Sequence, residues 1–247
     1  MMRFESGLAD EVAQSTAGPH DEPWLNFLDA TQPHTQPAIE YVLGHPDLKE
    51  RIGGRILDLA AGTCWLTARL SRLDKVEGVA ALHLSRRFLR SVGERMIRRF
   101  EGDDNKITFA VSSFNRVPFP STEFDCVFLV AAIRHSLTPI KTLMEAHRLL
   151  RPGGVLFVVE SPNPVIGLES ARTEAIRLSR ETGIIEICYT RREYEYMLRQ
   201  AGFDDVRCYP VDTVTRGVLR QAGRMLLRTL GLEDAFRPPT YVFVATR

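Results

Sequence analysis

Apolar residues in this chain recur in alternating, helical and unbroken patterns, and the places where one pattern yields to another outline its elements. Ile56, Leu57 and Leu59 form a short apolar run interrupted by Asp58; it breaks at Gly62-Thr63, and helical spacing begins at Leu66, Leu70 and Leu73. This predicts strand, tight turn, helix. Upstream, residues 36–51 carry Ile39, Val42 and Leu43 at helical spacing. Downstream, Lys75 to Leu82 reads as a second strand, and Ser85 can cap a helix whose apolar face is Phe88, Leu89, Val92 and Met96. Ile107 to Val111 is a third strand. Phe124 to Val130, continuous after Asp125, suits a parallel strand buried on both faces.

Thr138 to Leu150 is predicted helical, with Ile140, Leu143, Met144 and Leu150 inward, His147 on the same packed face, and a stop at Pro152-Gly153-Gly154. A fifth strand, Val155 to Val159, ends at Glu160. Val165 to Gly183 reads as an inserted helix with Leu168, Ala171, Ala175, Ile176 and Leu178 as its apolar positions. Thr190 and Glu193 give a capping-box signature for the helix carrying Tyr194, Met197 and Leu198, closed by Ala201-Gly202-Phe203. Val206 to Tyr209 and Tyr241 to Ala245 complete the strands.

Strands alternating with helices predict an α/β fold, in which ligands bind beyond the carboxyl ends of the strands. The turn after the first strand is such a place, and small residues at Ala60, Ala61 and Gly62 let a ligand lie against the backbone. His135 stands just beyond the fourth strand; because imidazole titrates near neutrality, it could take a proton from a nucleophile. At 247 residues, 44% hydrophobic and 26% charged, the chain suits one domain with insertions near 163–188 and 211–238. A net charge of +1 gives no global footprint for nucleic acid. The first eighteen residues contain acids and no apolar core, and no apolar run reaches spanning length, so a cytoplasmic location is expected. Cys64, Cys126, Cys188 and Cys208 lack metal-ligand spacing, and no metal is expected. Arg216, Arg220, Arg224 and Arg228 recur every four residues without an intervening acid. Such a stripe within 216–230 could hold an anionic substrate, rest on an anionic membrane surface, or be a solvated face.

Asp58-Leu59-Ala60-Ala61-Gly62-Thr63-Cys64, Val117-Pro118-Phe119-Pro120, Phe124-Asp125-Cys126-Val127 and Glu145 to Gly154 (EAHRLLRPGG) occur in that order. The ordered set resembles the class I S-adenosylmethionine-dependent methyltransferases, whose first motif is an acid followed by Gly-x-Gly-x-Gly. Only the middle glycine is kept here. The resemblance implies a doubly wound, Rossmann-like seven-stranded sheet in the order 3-2-1-4-5-7-6, with an antiparallel last strand and helical insertions. It also implies S-adenosylmethionine over the carboxyl ends of strands one to four, with Asp58, Ala60, Gly62 and Cys64 as the floor. His83 and Leu84 would lie at the ribose, Ser113 and Phe114 at the adenine, and Val130 in the wall. The segment 1–35, with its apolar island Trp24-Leu25-Asn26-Phe27-Leu28, would then close over the cofactor as a lid or pack on the domain edge.

His83 and Ser113 replace acids that the family uses to hold the ribose and adenine. A carboxylate accepts two bonds where a neutral imidazole accepts one. The activity implied is methyl transfer to a small-molecule substrate, with His135 as candidate catalytic base. The alternative is a methyltransferase-like fold that no longer methylates, acting as a binding or regulatory subunit or using the pocket for another reaction. Ser161-Pro162-Asn163-Pro164 follows strand five and lacks the signature of enzymes that methylate DNA bases, so nucleic acid is not expected as a partner. A homodimer stays open.

Overall fold

A computed structural model describes residues 35–182, 184–211, 227, 229–236 and 238–247. The proposed lid and the arginine stripe at 216, 220, 224 and 228 lie outside the described residues. Helix α1 (residues 35–44) and the short α2 (Pro46–Lys49) lead into β1 (Gly54–Leu59), α3 (Trp65–Ser71) and β2 (Val76–His83). Next come α4 (Arg86–Phe88), a π-helical turn at Leu89–Gly93, and α5 (Glu94–Arg99), which together make one interrupted helix. Strands β3 (Ile107–Val111) and β4 (Phe124–Val130) precede α6 (Pro139–Leu149) and β5 (Leu150–Glu160). Helices α7 (Leu168–Thr182) and α8 (Arg191–Gln200), strand β6 (Asp205–Val211), α9 (Glu233–Phe236) and β7 (Thr240–Thr246) follow.

The seven strands form one sheet in the order β3-β2-β1-β4-β5-β7-β6. Pairing is parallel from β3 to β5 and antiparallel on both sides of β7. Connections leave β1 toward β2 on one side and reach β4 on the other, so the strand order reverses beside β1. At this switch point the loops splay and open a crevice. Period-two side-chain alternation gives each face its own core. Ile56, Phe128, Phe157 and Val244 meet Ile39 and Val42 of α1 and Leu66 and Leu70 of α3. Leu57, Leu59, Val127 and Leu129 meet Leu143 and Leu149 of α6 and Met197 and Leu198 of α8. Phe128 and Phe157 stack at 4.8 Å in the middle of the first core. Truncating either to Ala should cost about 3–5 kcal/mol, through lost transfer energy and the cavity left behind.

Local chemistry explains several of the element ends. Ser85 Oγ accepts the Phe88 N–H, and Thr190 with Glu193 closes the reciprocal capping box. Gly202 takes φ +100°, a left-handed stop for α8. Three expectations need correction. Helix α6 ends at Leu149, ahead of Pro152, because Leu150 pairs with Phe124 and enters the sheet. Met144 is exposed, and Ala146 and Leu149 complete the buried face instead. Helix α7 buries Ala175 but exposes Ile176 and Leu178, so its apolar positions do not form one packed stripe. The π turn in α4–α5 was not foreseen; Gly93 within it lies against Cys64, whose Sγ would be 3.1 Å from an added Cβ.

Candidate active site

The crevice beside β1 holds a cavity of about 520 Å³. Its floor is the turn after β1, where Ala60 takes φ 87°, Gly62 φ 49° and Cys64 φ 64°. For Ala and Cys this left-handed backbone is strained, by about 1–2 kcal/mol per residue. The turn thus takes left-handed backbone at two positions that carry a side chain. A Cβ at Gly62 would meet nothing nearer than the Ala60 carbonyl oxygen at 4.0 Å, so the backbone there is open to a ligand. Asp58 lines the same floor; it is 2% exposed and accepts from Thr67 Oγ1 at 2.6 Å. Burial pushes its carboxyl up to about 6, against the opposing Thr67 hydrogen bonds.

His83 and Leu84, at the end of β2, line the adjoining wall. The His83 ring stacks on Phe88 at 4.6 Å. Its Nδ1 lies 3.0 Å from the Ser85 N–H and 3.4 Å from the Ser85 carbonyl oxygen. The shorter contact is to a group that only donates, so Nδ1 accepts and neutral His83 carries its proton on Nε2. Phe114 and Val130 also line the cavity, while Ser113 and Cys64 do not. Ser113 Oγ instead accepts the Asn115 N–H at 3.3 Å. Cys64 is fully buried, with its thiol pushed up by burial and then by Asp58, and its side chain packs beneath the floor toward Gly93.

The opposite wall begins where β4 ends and turns through a 3-10 turn, Ile133–His135. Glu160, at the end of β5 and 1% exposed, holds that turn. Its Oε1 accepts the Ile133 N–H at 2.9 Å, and its Oε2 accepts from Arg134 Nε and Nη2 at 3.0 and 2.8 Å. Tyr194 OH donates toward the same Oε2 at 3.4 Å. Burial is the largest influence and opposes the Arg134 charge, but Glu160, Tyr194 and Glu186 together more than offset it and raise its pKa. Residues 185–187 strap across the turn. Ile187 N–H donates to the Arg134 carbonyl at 2.8 Å, and His135 Nδ1 lies 2.6 Å from the Ile185 carbonyl oxygen. A carbonyl only accepts, so Nδ1 bears the proton and Nε2 of the neutral ring is the acceptor. Ser179 Oγ of α7 in turn accepts the Glu186 N–H at 3.0 Å, tying the inserted helix to the strap.

Arg134, Glu160 and Glu186 had not been singled out by the sequence motifs, although Arg134, His135 and Glu186 all line the cavity. One signal was present: Glu160 ends an apolar strand, and a charge there falls at the ligand-binding edge of an α/β sheet. Among the described residues, no group of three or more His, Cys, Asp or Glu is placed to hold a metal ion. Likewise no described helix is long and apolar enough to cross a membrane.

Residues 57–158 match a family model described as a methyltransferase domain. Over 175 residues the chain is 30% identical to the ubiquinone/menaquinone biosynthesis C-methyltransferase UbiE of Yersinia pestis, spanning 70% of this chain and 67% of that protein. The chain belongs to the class I S-adenosylmethionine-dependent methyltransferases. Its fold agrees with that of a chain from the Haloferax volcanii complex between the Trm112 methyltransferase activator and a methyltransferase, at TM-score 0.64, 16% identity, and 98% and 96% coverage. An S-adenosylmethionine-dependent methyltransferase from Mesorhizobium loti superposes at TM-score 0.57, with 18% identity over 80% of this chain and 93% of that one. The cofactor of this methyltransferase is S-adenosylmethionine. The open backbone at Gly62, the strained floor around it and the buried acid beside it fit such a group.

Proposed function

We propose that this methyltransferase acts on a small molecule whose acceptor group must lose a proton, and that His135 is the base that takes it. The observation carrying this reading is the 2.6 Å contact between His135 Nδ1 and the Ile185 carbonyl, which leaves Nε2 as proton acceptor on a residue lining the cavity. Asp58, Ala60 and Gly62 would hold the cofactor from below, His83 and Leu84 at the ribose, and Phe114 and Val130 beside the base. Cys64 and Ser113 would contribute through backbone position rather than a side chain facing the cavity. S-adenosylmethionine, when bound, supplies an electrophilic sulfonium methyl whose departure needs no acid. The protein's part is therefore to align the acceptor, exclude water and remove its proton.

The acceptor wall combines His135, Arg134 and Glu186 with apolar Leu178 and Ile184. That combination suits an aromatic body bearing an ionisable hydroxyl. The relative named for ubiquinone and menaquinone biosynthesis makes a phenolic or quinol ring the first class to test, with methylation at carbon next to the hydroxyl. Loss of the hydroxyl proton would raise electron density at that carbon. The test is transfer of labelled methyl from S-adenosylmethionine to a panel of phenols, quinols, amines and carboxylates, with the wild-type chain and His135→Gln. Turnover of phenolic acceptors that collapses in the variant supports the reading. Turnover unaffected by the substitution would remove His135 from it.

A further inference from the structure

Leu84 borders two hollows. On one side is the cofactor cavity; on the other is an open groove of about 760 Å³, lined also by Arg86, Arg87, Arg90, Ser91 and Val111. The three arginines are exposed, and among the described residues none of their guanidinium groups has an ion pair or hydrogen bond. Several other arginines meet carboxylates, as Arg148 meets Glu145, Arg172 meets Glu193, and Arg177 meets Glu174 and Glu181. Residues 86–99 hold six arginines against one glutamate, in a chain whose net charge is +1. Arg86 and Arg90 are four apart on one helical face, a like-charge spacing that destabilises an isolated helix. The buried Ser91 hydroxyl beneath the groove has no hydrogen-bond partner among the described residues. Uncompensated guanidinium groups suit an anion with several oxygens, and guanidinium geometry matches phosphate.

Position narrows the ligand. The groove starts where β2 ends, the point at which a dinucleotide-binding sheet contacts the ribose. There an acid accepts ribose hydroxyls, whereas a nearby arginine accommodates a ribose phosphate. Here the acid is absent. His83 stands in its place, its Nδ1 already accepting the Ser85 N–H, so its remaining nitrogen donates rather than accepts. Nothing at that position would repel a phosphate.

We propose that the Arg86–Arg87–Arg90 groove is a phosphate subsite continuous with the cofactor cavity. Through it the protein binds adenosine ligands phosphorylated on the 2′ or 3′ ribose oxygen, in competition with S-adenosylmethionine. The assignment rests on the placement of the cofactor ribose at His83 and Leu84. Such a ligand would act as a brake on methyl transfer, occupying the nucleoside cavity without carrying a methyl group.

The test is calorimetric titration of the full chain with adenosine, 2′-AMP, 3′-AMP, 5′-AMP and inorganic phosphate, together with S-adenosylhomocysteine alone and in competition. At least one of 2′-AMP and 3′-AMP should bind about tenfold or more tightly than adenosine and 5′-AMP, as charge-assisted bonds to guanidinium require. S-adenosylhomocysteine should block it. The double variant R86Q/R90Q should erase the advantage while leaving S-adenosylhomocysteine affinity unchanged. Equal binding of all the nucleosides, with S-adenosylhomocysteine still bound, overturns the phosphate subsite and leaves the cofactor reading intact. A phosphate advantage that survives R86Q/R90Q, or that S-adenosylhomocysteine does not block, overturns it too, since the anion then sits elsewhere. If neither S-adenosylhomocysteine nor any nucleoside binds, the ribose placement itself fails and the subsite falls with it.

Discussion

The two walls of the cavity are made in different ways. The cofactor-side floor is a backbone construction: Ala60, Gly62 and Cys64 all lie at positive φ within five residues. The acceptor-side wall is a side-chain construction. Glu160 reaches back 26 residues to Arg134, Tyr194 reaches back 34 to Glu160, and His135 meets a carbonyl 50 residues away. A backbone-built wall tolerates altered side chains while the chain can still reach the required φ. A wall of buried charges depends on every partner, because removing one leaves the other desolvated and unpaired.

The largest test of this contrast is His135→Gln, which should lower kcat for methyl transfer by about 10²–10⁴-fold, the usual worth of a general base. Cofactor affinity, measured by titration, should not move. Next is Glu160→Gln, which leaves Arg134 charged and incompletely paired and takes support from the Ile133–His135 turn. Chemical denaturation should show a loss of about 3–5 kcal/mol, typical of breaking a buried ion pair from one side. A loss below about 1 kcal/mol, the scale of an exposed pair, would mean that the acceptor wall does not depend on this charge.

Asp58 tests the floor through pH. Its folded-state carboxyl is raised to about 6 from an ordinary 3.8, so between those values the folded chain binds more protons than the unfolded chain. Stability of the ligand-free protein should therefore fall as pH rises across this window, by about 3 kcal/mol at most. Asp58→Asn should flatten that dependence in denaturation curves taken at intervals of about one pH unit from below to above the window. An unchanged slope would place the titrating group elsewhere.

The smallest expected effect, and the one most particular to a backbone-built wall, is Ala60→Gly. Relief of the left-handed strain, partly offset by glycine's greater freedom when unfolded, should stabilise the protein by about 0.5–1 kcal/mol. Thermal unfolding would show the sign. A destabilised Ala60→Gly would mean that the Ala60 methyl contributes more to packing than its backbone loses to strain.

Sequence periodicity located nearly every strand, because a buried parallel strand must be apolar along its length and an amphipathic helix must repeat near 3.6 residues. It placed Phe124–Val130 and Ile107–Val111 with their observed limits, and the Thr190/Glu193 capping box came directly from residue type and spacing. It misjudged Met144 and Ile176, since periodicity names apolar positions without saying whether a partner element covers them. At the site, the motif turn around Gly62 was legible because its parts are consecutive. The Arg134–Glu160 pair was not, because its parts come together only when β4 and β5 lie side by side.

What the chain determined by itself was the alternation of elements, the turn that demands left-handed backbone, and the order of motifs that marks the methyltransferase family. These are local properties, fixed by sterics and by which side chains avoid water. Tertiary structure alone decided that Cys64 turns toward Gly93, that Ser113 closes on its own loop, and that His83 accepts a backbone N–H. It also decided that the Ile185 carbonyl accepts the His135 N–H and that three arginines share one groove. Each of these depends on the direction of a hydrogen bond or the nearness of a charge across the fold, and neither is encoded by residue type until the sheet brings the partners together.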